Sequence, residues 1–546
     1  MHFSTTIASF VFALEAAAIP FGHLTGGQLS AAQVAKKWQS LAKRDEAAPA
    51  YPAYNLSVPI DFFPDDKRYE PHSNGTFNLR YWVDDTYYKP GGPVFVLLSG
   101  ETSGENRLPF MATGISNQVA QATAGLSVIL EHRYYGTSFP FPDASTKNLR
   151  FLSTEQALAE IDYFARHVKF EGIAEDLTAP NAPWIVYGGS YAGAQAAFLR
   201  VVYPDTFWGA ISSSGVTTAI YDYWEYYEPI RQFAPPDCVR NTQTMVDVVD
   251  SILLHDDQKD KVARLQEAFG LGQITDKRDF ANVLTSGITG WQSTNWDPEL
   301  NSPSFFYYCG NLTGTVNYDN VEHLRPTVKE LVSVGGYVND SLVENITLNA
   351  IGYFGRTSVA AWNESGETQD AFFSVLNDTF WQDTSLVAAE AWRSWSYQVC
   401  TEWGYIQTGS TPADIKPLIS RTLDLEYLTY FCRSAFNITQ PPDLWQVNKY
   451  GNYSIEYSRL AIIGGNADPW RPATPLANGS STRVSSTDKP WLEIAHGVHH
   501  WEENGVPANE TTPIFPPAQV VYAQQFVKNF VIDWVKEFND QFRLEL

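Results

Sequence analysis

Residues 183–193 read Pro-Trp-Ile-Val-Tyr-Gly-Gly-Ser-Tyr-Ala-Gly, and they carry the strongest structural signal in this chain. The apolar residues 184–186 predict a buried strand, and the small residues around Ser190 predict a sharp turn into a helix. On such a nucleophile elbow the serine is lifted from the sheet edge, and helix N–H groups can bind a developing oxyanion. The Gly-x-Ser-x-Gly spacing is not met, because Ala192 stands where the second glycine would be. The alternative is a serine that only caps a helix.

A nucleophilic serine needs a general base and an acid that orients the base, here in the chain order Ser, Asp, His. Residues 459–470 predict a buried strand that ends in glycines and is followed by Asp468. A later short strand is followed by a loop with three histidines, His496, His499 and His500. The alternatives are an Asx turn at Asp468 and, for the three histidines, a metal site or a solvated loop. The joint order of serine, acid and histidine, each after a strand, favours a catalytic triad.

Strand and helix patterns alternate in the first part of the chain, which predicts an α/β fold with a mostly parallel sheet. From residue 221 to residue 436 the pattern becomes mainly helical, and parallel-strand signals return only at Leu460. This predicts a catalytic domain in two parts, 45–220 and 437–546, interrupted by a helical cap domain, 221–436. The predicted strands are 77–83, 94–98, 127–131, 184–187 and 207–213, and the predicted helices are 154–170, 244–269, 370–397 and 517–542.

Composition limits the classes of function. The chain has 546 residues and a formal net charge of −24, which argues against nucleic acid as a partner. Residues 1–18 resemble a signal peptide, and residues 19–44, ending in Lys43-Arg44, resemble a propeptide. No later segment is apolar enough to span a membrane, so we expect no membrane partner. Eleven Asn-x-Ser/Thr sequons predict a secreted glycoprotein. Their acceptor asparagines are Asn55, Asn74, Asn311, Asn339, Asn345, Asn363, Asn377, Asn437, Asn452, Asn478 and Asn509.

The cysteine count adds to this interpretation. Four cysteines occur, Cys238, Cys309, Cys400 and Cys432, and an even number in an oxidising compartment favours two disulfides. Four cysteines allow three pairings, and the residues alone do not select one.

Several stretches together resemble the prolyl-carboxypeptidase family of serine peptidases, whose members include lysosomal Pro-X carboxypeptidase, dipeptidyl peptidase II, thymus-specific serine protease and fungal acid prolyl endopeptidases. The resemblance runs from about residue 50 to the C-terminus. The matching stretches are Glu-His-Arg-Tyr-Tyr-Gly-Thr-Ser at 131–138, Leu-Ser-Thr-Glu-Gln-Ala-Leu at 152–158, Gly-Gly-Ser-Tyr-Ala-Gly at 188–193, Tyr-Gln-Val-Cys-Thr-Glu at 397–402, Asp-Pro-Trp at 468–470 and Gly-Val-His-His at 497–500.

The resemblance implies the α/β-hydrolase fold, with the helical cap inserted between nucleophile and acid. It assigns the nucleophile to Ser190, the acid to Asp468 and the base to His499, with His500 second and His496 third. It also implies cleavage after proline in a peptide or protein, without a cofactor or metal, by a monomer or homodimer. The expected location is extracellular, with a vacuole or lysosome as the alternative. An esterase or lipase on the same fold and a non-catalytic binding module are the other candidate functions.

Two backbone N–H groups are expected to form the oxyanion hole. One belongs to Tyr191, directly after the nucleophile, and the other to Gly100 or Glu101 in the turn after the third strand. The alternative for that turn is a plain Gly-rich loop. A proline pocket needs aromatic walls, and we expect Trp470 and Tyr191 to supply them; the alternative for Trp470 is packing of its own loop.

The resemblance also implies the disulfides Cys238–Cys309 and Cys400–Cys432. We also expect a structural ion pair between Glu131 and Arg133 near the site. Glu402 either meets a substrate amine or braces the cap. Where lysosomal members have an arginine after the histidine pair, this chain has Asn504, which weakens the case for binding a substrate carboxylate there.

Overall fold

The computed structural model describes residues 51–545, so the expected signal peptide, propeptide and Lys43-Arg44 processing site lie outside the described residues. Within that range, an eight-stranded sheet has the order β1-β2-β4-β3-β5-β6-β9-β10. The pairs β1–β2 and β2–β4 are antiparallel and the other pairs are parallel, which confirms the α/β-hydrolase fold. The strands are β1 (Ala53–Pro59), β2 (Thr76–Asp84), β3 (Val94–Leu98), β4 (Leu126–Leu130), β5 (Trp184–Gly189), β6 (Phe207–Ser213), β7 (Ile220–Asp222), β8 (Gly404–Ile406), β9 (Leu460–Gly465) and β10 (Trp491–Ile494).

The central strands are buried on both faces, which is why they are apolar at every position rather than at alternate ones. Successive side chains of β3 enter two different cores: Val96 belongs to the core shared with the cap, and Leu97 to the core on the opposite face. The long C-terminal helix Ala518–Glu545 covers that opposite face and packs on Ile115–Thr123. The helices Thr154–His167 and Tyr191–Val202 belong to the face that carries the cap.

The strand predictions hold closely, since 94–98 and 207–213 coincide with β3 and β6 and the other three differ by at most two residues at an end. Strand β1 was not predicted. The helix predicted at 244–269 is wrong as a single helix, because the polar stretch around His255 separates Pro236–Leu253 from Lys259–Ala268. The helix predicted at 370–397 is also wrong, because the side chains of Asn377 and Ser385 cap new short helices within it.

Residues between β6 and β9 form a mainly helical layer, in which β7 and β8 make a small parallel pair. Strand β7 straddles the predicted domain boundary at 220/221, and the boundaries themselves stay predictions. Three segments of this layer are π-helical, Gly355–Val359, Ala389–Arg393 and Val399–Trp403. Its main α-helices are Tyr227–Phe233, Pro236–Leu253, Lys259–Ala268, Lys277–Val283, Ser304–Asn311, Arg325–Val334, Ser341–Phe354, Ala360–Ser365, Gln369–Phe373, Ser394–Gln398 and Tyr430–Phe436.

Both disulfides lie in this helical layer. Cys238 is bonded to Cys309 and Cys400 to Cys432, the pairing that the resemblance implied. None of the eleven sequon asparagines is buried. Among residues 51–545, every helix is too short or too polar to cross a lipid bilayer.

Candidate active site

Ser190 lies on the sharp turn between β5 and the helix Tyr191–Val202. Its backbone has φ +59° and ψ −125°, a conformation that residues with side chains rarely adopt. The turn is held in place because the Ser190 N–H donates to the carbonyl oxygen of Ser213 on β6 at 2.9 Å. Backbone strain of this kind persists only where the surrounding structure over-determines it, and it is concentrated at functional sites.

Two glycines explain how the elbow forms without the strict motif. A Cβ on Gly188 would lie 2.0 Å from the carbonyl oxygen of Ala192, and a Cβ on Gly193 would lie 2.8 Å from the Cα of Gly215. Contacts so short are impossible, so both positions require glycine. The close approach to the neighbouring strand occurs at Gly193, one residue later than in the strict motif, and Ala192 is therefore tolerated.

His499 and Asp468 are hydrogen-bonded to each other, Nδ1 to Oδ2, at 2.8 Å. The other carboxylate oxygen, Oδ1, accepts from the backbone N–H of Trp470 at 2.9 Å. Because a carboxylate accepts, His499 carries its proton on Nδ1 and presents Nε2 as the basic nitrogen. Nε2 is buried and has no hydrogen-bond partner among the described residues. An imidazole in this state can accept one proton from a neighbouring hydroxyl.

The loops that carry Asp468 and His499 follow β9 and β10 and are in direct contact. A Cβ on Gly465 would lie 2.0 Å from the carbonyl oxygen of Gly497, so the two loops approach more closely than any side chain would allow. The carboxylate of Asp468 is thus hydrogen-bonded on one side by the Trp470 N–H and on the other by His499.

The histidine loop also reaches the end of β5. The N–H of His500 donates to the Oγ of Ser214 at 3.0 Å, and Ser214 follows β6, the direct neighbour of β5. A Cβ on Gly189, next to Ser190, would lie 3.3 Å from the His500 ring. The fold thus brings Ser190, Asp468 and the histidine loop, which are distant in sequence, to one edge of the sheet.

The other two histidines have different surroundings. His500 is buried and its Nδ1 lies 2.7 Å from the Oε2 of Glu503. Burial has the largest single effect and would raise the pKa of Glu503, but attraction to His500, Arg107 and His499 and the hydrogen bond to His500 together outweigh burial, so the pKa of Glu503 is lowered. His496 is exposed and adopts φ +57°. Of the three, only His499 is hydrogen-bonded to Asp468.

The Tyr191 side chain is an anchor inside the protein, with 1% of its surface exposed. The Nδ1 of His132 donates to the Arg133 carbonyl at 2.7 Å, so its Nε2 accepts from the Tyr191 hydroxyl at 3.0 Å. Burial lowers the pKa of His132 to about 3, which keeps this ring neutral. The same hydroxyl accepts from Nε2 of Gln398 at 2.8 Å and from Nε2 of Gln195 at 3.3 Å. The phenol therefore offers no open wall to a substrate.

Trp470 is likewise enclosed, with 2% of its surface exposed. Its ring lies 5.5 Å from Tyr223 and 5.1 Å from Tyr405, and its Nε1 donates to Gln292 at 2.8 Å. These contacts fit the alternative of packing around the acid loop better than an open pocket wall.

The turn after β3 lies at the same edge of the sheet, because β3 pairs directly with β5. Gly100 has φ +69°, which allows the chain to turn away from the strand at once. The end of the turn is held from two sides: the Ser103 N–H donates to Glu390 and the Gly104 N–H donates to Glu131, each at 2.9 Å.

The suggested ion pair between Glu131 and Arg133 is wrong. Glu131 is paired with Arg80 at 2.6 Å, because Arg80 lies on the neighbouring strand β2. Arg133 is paired with Glu160 at 2.9 Å, on the helix Thr154–His167. The chain turns away from the sheet directly after β4, so the two side chains leave in different directions.

Two further side chains are bonded within the protein. Glu402 accepts from both the N–H and the hydroxyl of Thr154 at 2.8 Å, so it braces the helical layer on the hydrolase part. Asn504 donates to Asp297 at 2.8 Å.

Sequence reasoning missed His132, Glu390 and Gln398, which hold the elbow and the β3 turn. His132 and Gln398 lie within stretches that carry the family resemblance, 131–138 and 397–402, and could have been found there. Glu390 has no sequence signal, because its partners are backbone groups of remote loops.

Comparison with known proteins adds an independent result. The profile described as serine carboxypeptidase S28 matches residues 66–502. The chain belongs to this family. Membership makes the protein a serine-type peptidase, as expected from the elbow and the strand-terminal acid and histidine.

Relatives in this family span different organisms. The chain is 48% identical over 501 residues to a probable extracellular serine carboxypeptidase of Arthroderma benhamiae, a match that covers 91% of this chain and 69% of the relative. It is 25% identical to human lysosomal Pro-X carboxypeptidase, over 85% of this chain and 86% of the relative. Among solved structures, a proline iminopeptidase of Mycobacterium smegmatis is 12% identical with a TM-score of 0.34, covering 89% of this chain and 99% of that one.

Proposed function

We propose that this protein is a secreted serine peptidase that cleaves peptide bonds on the carboxyl side of proline, with Ser190 as nucleophile, His499 as base and Asp468 as acid. One observation carries the assignment: the Nε2 of His499 is buried and unpartnered while its Nδ1 is bonded to Asp468. The alternative bases lack this arrangement.

In the proposed reaction the Ser190 hydroxyl attacks the carbonyl carbon of the proline residue, and His499 Nε2 takes the hydroxyl proton. Asp468 stabilises the resulting imidazolium. The C–N bond then breaks as His499 gives the proton to the leaving amine, which leaves an acyl-enzyme. Water, activated by the same histidine, hydrolyses the ester and restores Ser190. The negative oxygen of both tetrahedral intermediates is bound by the N–H of Tyr191 and an N–H of Gly100 or Glu101.

Secretion is supported by three features. Eleven sequons occur and none of their asparagines is buried, two disulfides stabilise the helical layer, and a relative at 48% identity is named as extracellular.

Proline specificity is supported by the relative named Pro-X carboxypeptidase. The side chains of Trp470 and Tyr191 are enclosed within the protein, so they are not part of this support. The amide of Asn504 is hydrogen-bonded to Asp297, so it is not available to bind the terminal carboxylate of a substrate. A protein that does not bind this carboxylate has no reason to prefer the last peptide bond, which favours internal cleavage.

The test uses the secreted full chain and two peptides that differ only in proline or alanine at one internal position. A fluorophosphonate is expected to label the protein, and Ser190→Ala is expected to abolish both labelling and cleavage. Mass spectrometry of the products gives the mode: internal fragments indicate an endopeptidase, and trimmed ends indicate an exopeptidase. Equal cleavage of both peptides would refute proline specificity. Hydrolysis of a proline ester without hydrolysis of the peptide would favour an esterase.

A further inference from the structure

Residues 386–403 form one continuous helical segment in which α and π turns alternate. It consists of Leu386–Ala388 (α), Ala389–Arg393 (π), Ser394–Gln398 (α) and Val399–Trp403 (π). A π turn contains more residues than an α turn, so two π turns lengthen the average repeat beyond the usual 3.6 residues. Side chains four residues apart can therefore stay on one face over several turns. π turns are rare in proteins, and those that occur are frequently located at functional sites.

Four side chains at this spacing face the hydrolase part: Glu390, Ser394, Gln398 and Glu402. Glu390 accepts from two backbone N–H groups, Ser103 at 2.9 Å and Gly136 at 2.5 Å. The other three each bond a hydrolase residue: Ser394 Oγ donates to the carbonyl of Tyr134 at 3.0 Å, Gln398 Nε2 donates to the hydroxyl of Tyr191 at 2.8 Å, and Glu402 accepts from Thr154 at 2.8 Å.

Two of these four contacts bear on the oxyanion hole. Gln398 holds the side chain of Tyr191, whose own N–H is one expected donor. Glu390 holds the Ser103 end of the short turn that contains Gly100 and Glu101, the expected source of the other donor. Gln398 is completely buried, so its bonds do not compete with water.

We infer that helix 386–403 sets the positions of both oxyanion donors, with Glu390 and Gln398 as positioning residues. The inference rests on the proposed function, since it assumes that Tyr191 and the β3 turn supply the donors. Neither side chain touches the reacting atoms; each acts through the backbone segment that it holds. Oxyanion donors must lie within a few tenths of an ångström of the developing charge, so their supports affect the transition state more than substrate binding.

Two variants weaken the positioning contacts separately. In Glu390→Gln only one of the two amide positions is an acceptor, so either the Ser103 N–H or the Gly136 N–H faces an NH₂ group, and the side chain can no longer hold both backbone segments in place. Gln398→Met keeps the volume of the side chain but leaves the hydroxyls of Tyr191 and Tyr135 without this partner. Each variant is expected to lower kcat roughly ten- to hundredfold, because a displaced donor is weakened rather than lost, with KM within about twofold of the parent.

Glu402→Gln is the matched control. Glu402 is also a buried glutamate on a π turn of the same helix, but a single oxygen accepts both of its bonds from Thr154. An amide oxygen can accept both, and neither bond leads to an oxyanion donor. This variant is expected to keep the parental kcat.

The readout is the affinity for two ligands, a peptide aldehyde that ends in prolinal and a product peptide that ends in proline. The aldehyde forms a tetrahedral adduct with Ser190, and the oxygen of this adduct occupies the oxyanion hole. The product peptide forms no such adduct. Glu390→Gln and Gln398→Met should weaken aldehyde binding by the same factor as kcat and leave product binding unchanged. Rates are normalised to the Ser190 that a fluorophosphonate titrates, so partial loss of folded protein does not affect them.

Unchanged aldehyde affinity in both variants would overturn the inference, as would an equal loss in Glu402→Gln. Failure of the proposed function has a different signature: the parent protein itself would not be labelled at Ser190 and would not bind the aldehyde.

Discussion

Replacing Asp468 with asparagine tests the proposed triad most directly, because the surrounding hydrogen bonds dictate how the new side chain lies. In the parent, Oδ1 accepts from the Trp470 N–H and Oδ2 accepts from Nδ1 of His499. An amide has one oxygen and one NH₂ group. The Trp470 N–H is a fixed donor, so it retains the oxygen and turns the NH₂ group toward His499.

The consequence for the base is a change of tautomer. Facing an NH₂ group, Nδ1 of His499 must accept, so the ring proton moves to Nε2, which can then no longer take the proton of Ser190. The opposite orientation would leave the buried Trp470 N–H unsatisfied, at a cost of about 1–3 kcal/mol. With the loss of the charge that stabilises the imidazolium, we expect kcat to fall about 10,000-fold, or about 5 kcal/mol in the barrier.

The assay is steady-state cleavage of a proline peptide, with kcat and KM determined separately. KM should change little, because Asp468 is 1% exposed and does not reach a substrate. Asp279→Asn is the matched control: Asp279 is equally buried, at 1% exposure, and its carboxylate also accepts from a backbone N–H, that of Val375 at 3.1 Å. If Asp468→Asn kept more than a tenth of the parental kcat, or if the control lost as much, the triad assignment would be refuted.

Two predictions concern stability. Burial raises the pKa of Asp279 from 3.8 to about 6, so the folded state favours the neutral acid, and this group makes stability fall as pH rises from about 4 to about 6. Asp279→Asn removes that loss, so the variant should be more stable than the parent by up to about 3 kcal/mol at pH 7 and equally stable at pH 3. Urea unfolding followed by tryptophan fluorescence measures the free energy of unfolding at both pH values. A difference in stability that does not depend on pH would contradict this prediction. Replacing Cys400 and Cys432 together with serine opens a loop with a sequence separation of 32 residues, and chain entropy predicts a loss of about 4 kcal/mol. Thermal unfolding measures it, and an unchanged midpoint would show that the disulfide adds nothing.

The elements of the core and the chemical identity of the site were readable from local patterns. Apolar runs such as 94–98, bounded by glycine or proline, indicate strands buried on both faces, and the small residues around Ser190 allow a sharp turn. The order of elbow, acid and histidine then indicated a hydrolase, because each follows a strand and parallel strands end at one edge. Family stretches placed His499 ahead of His500.

Only the tertiary structure decided three points. These are which histidine is hydrogen-bonded to Asp468, which residue is paired with Glu131, and what the helical layer contacts. Glu131 meets Arg80 rather than Arg133 because strand pairing, and not nearness in sequence, sets its neighbours. Glu390 carries no local signature at all, since backbone N–H groups of two remote loops give it its role. Local sequence determines which backbone conformations are possible, whereas long-range packing alone decides which distant polar groups become partners.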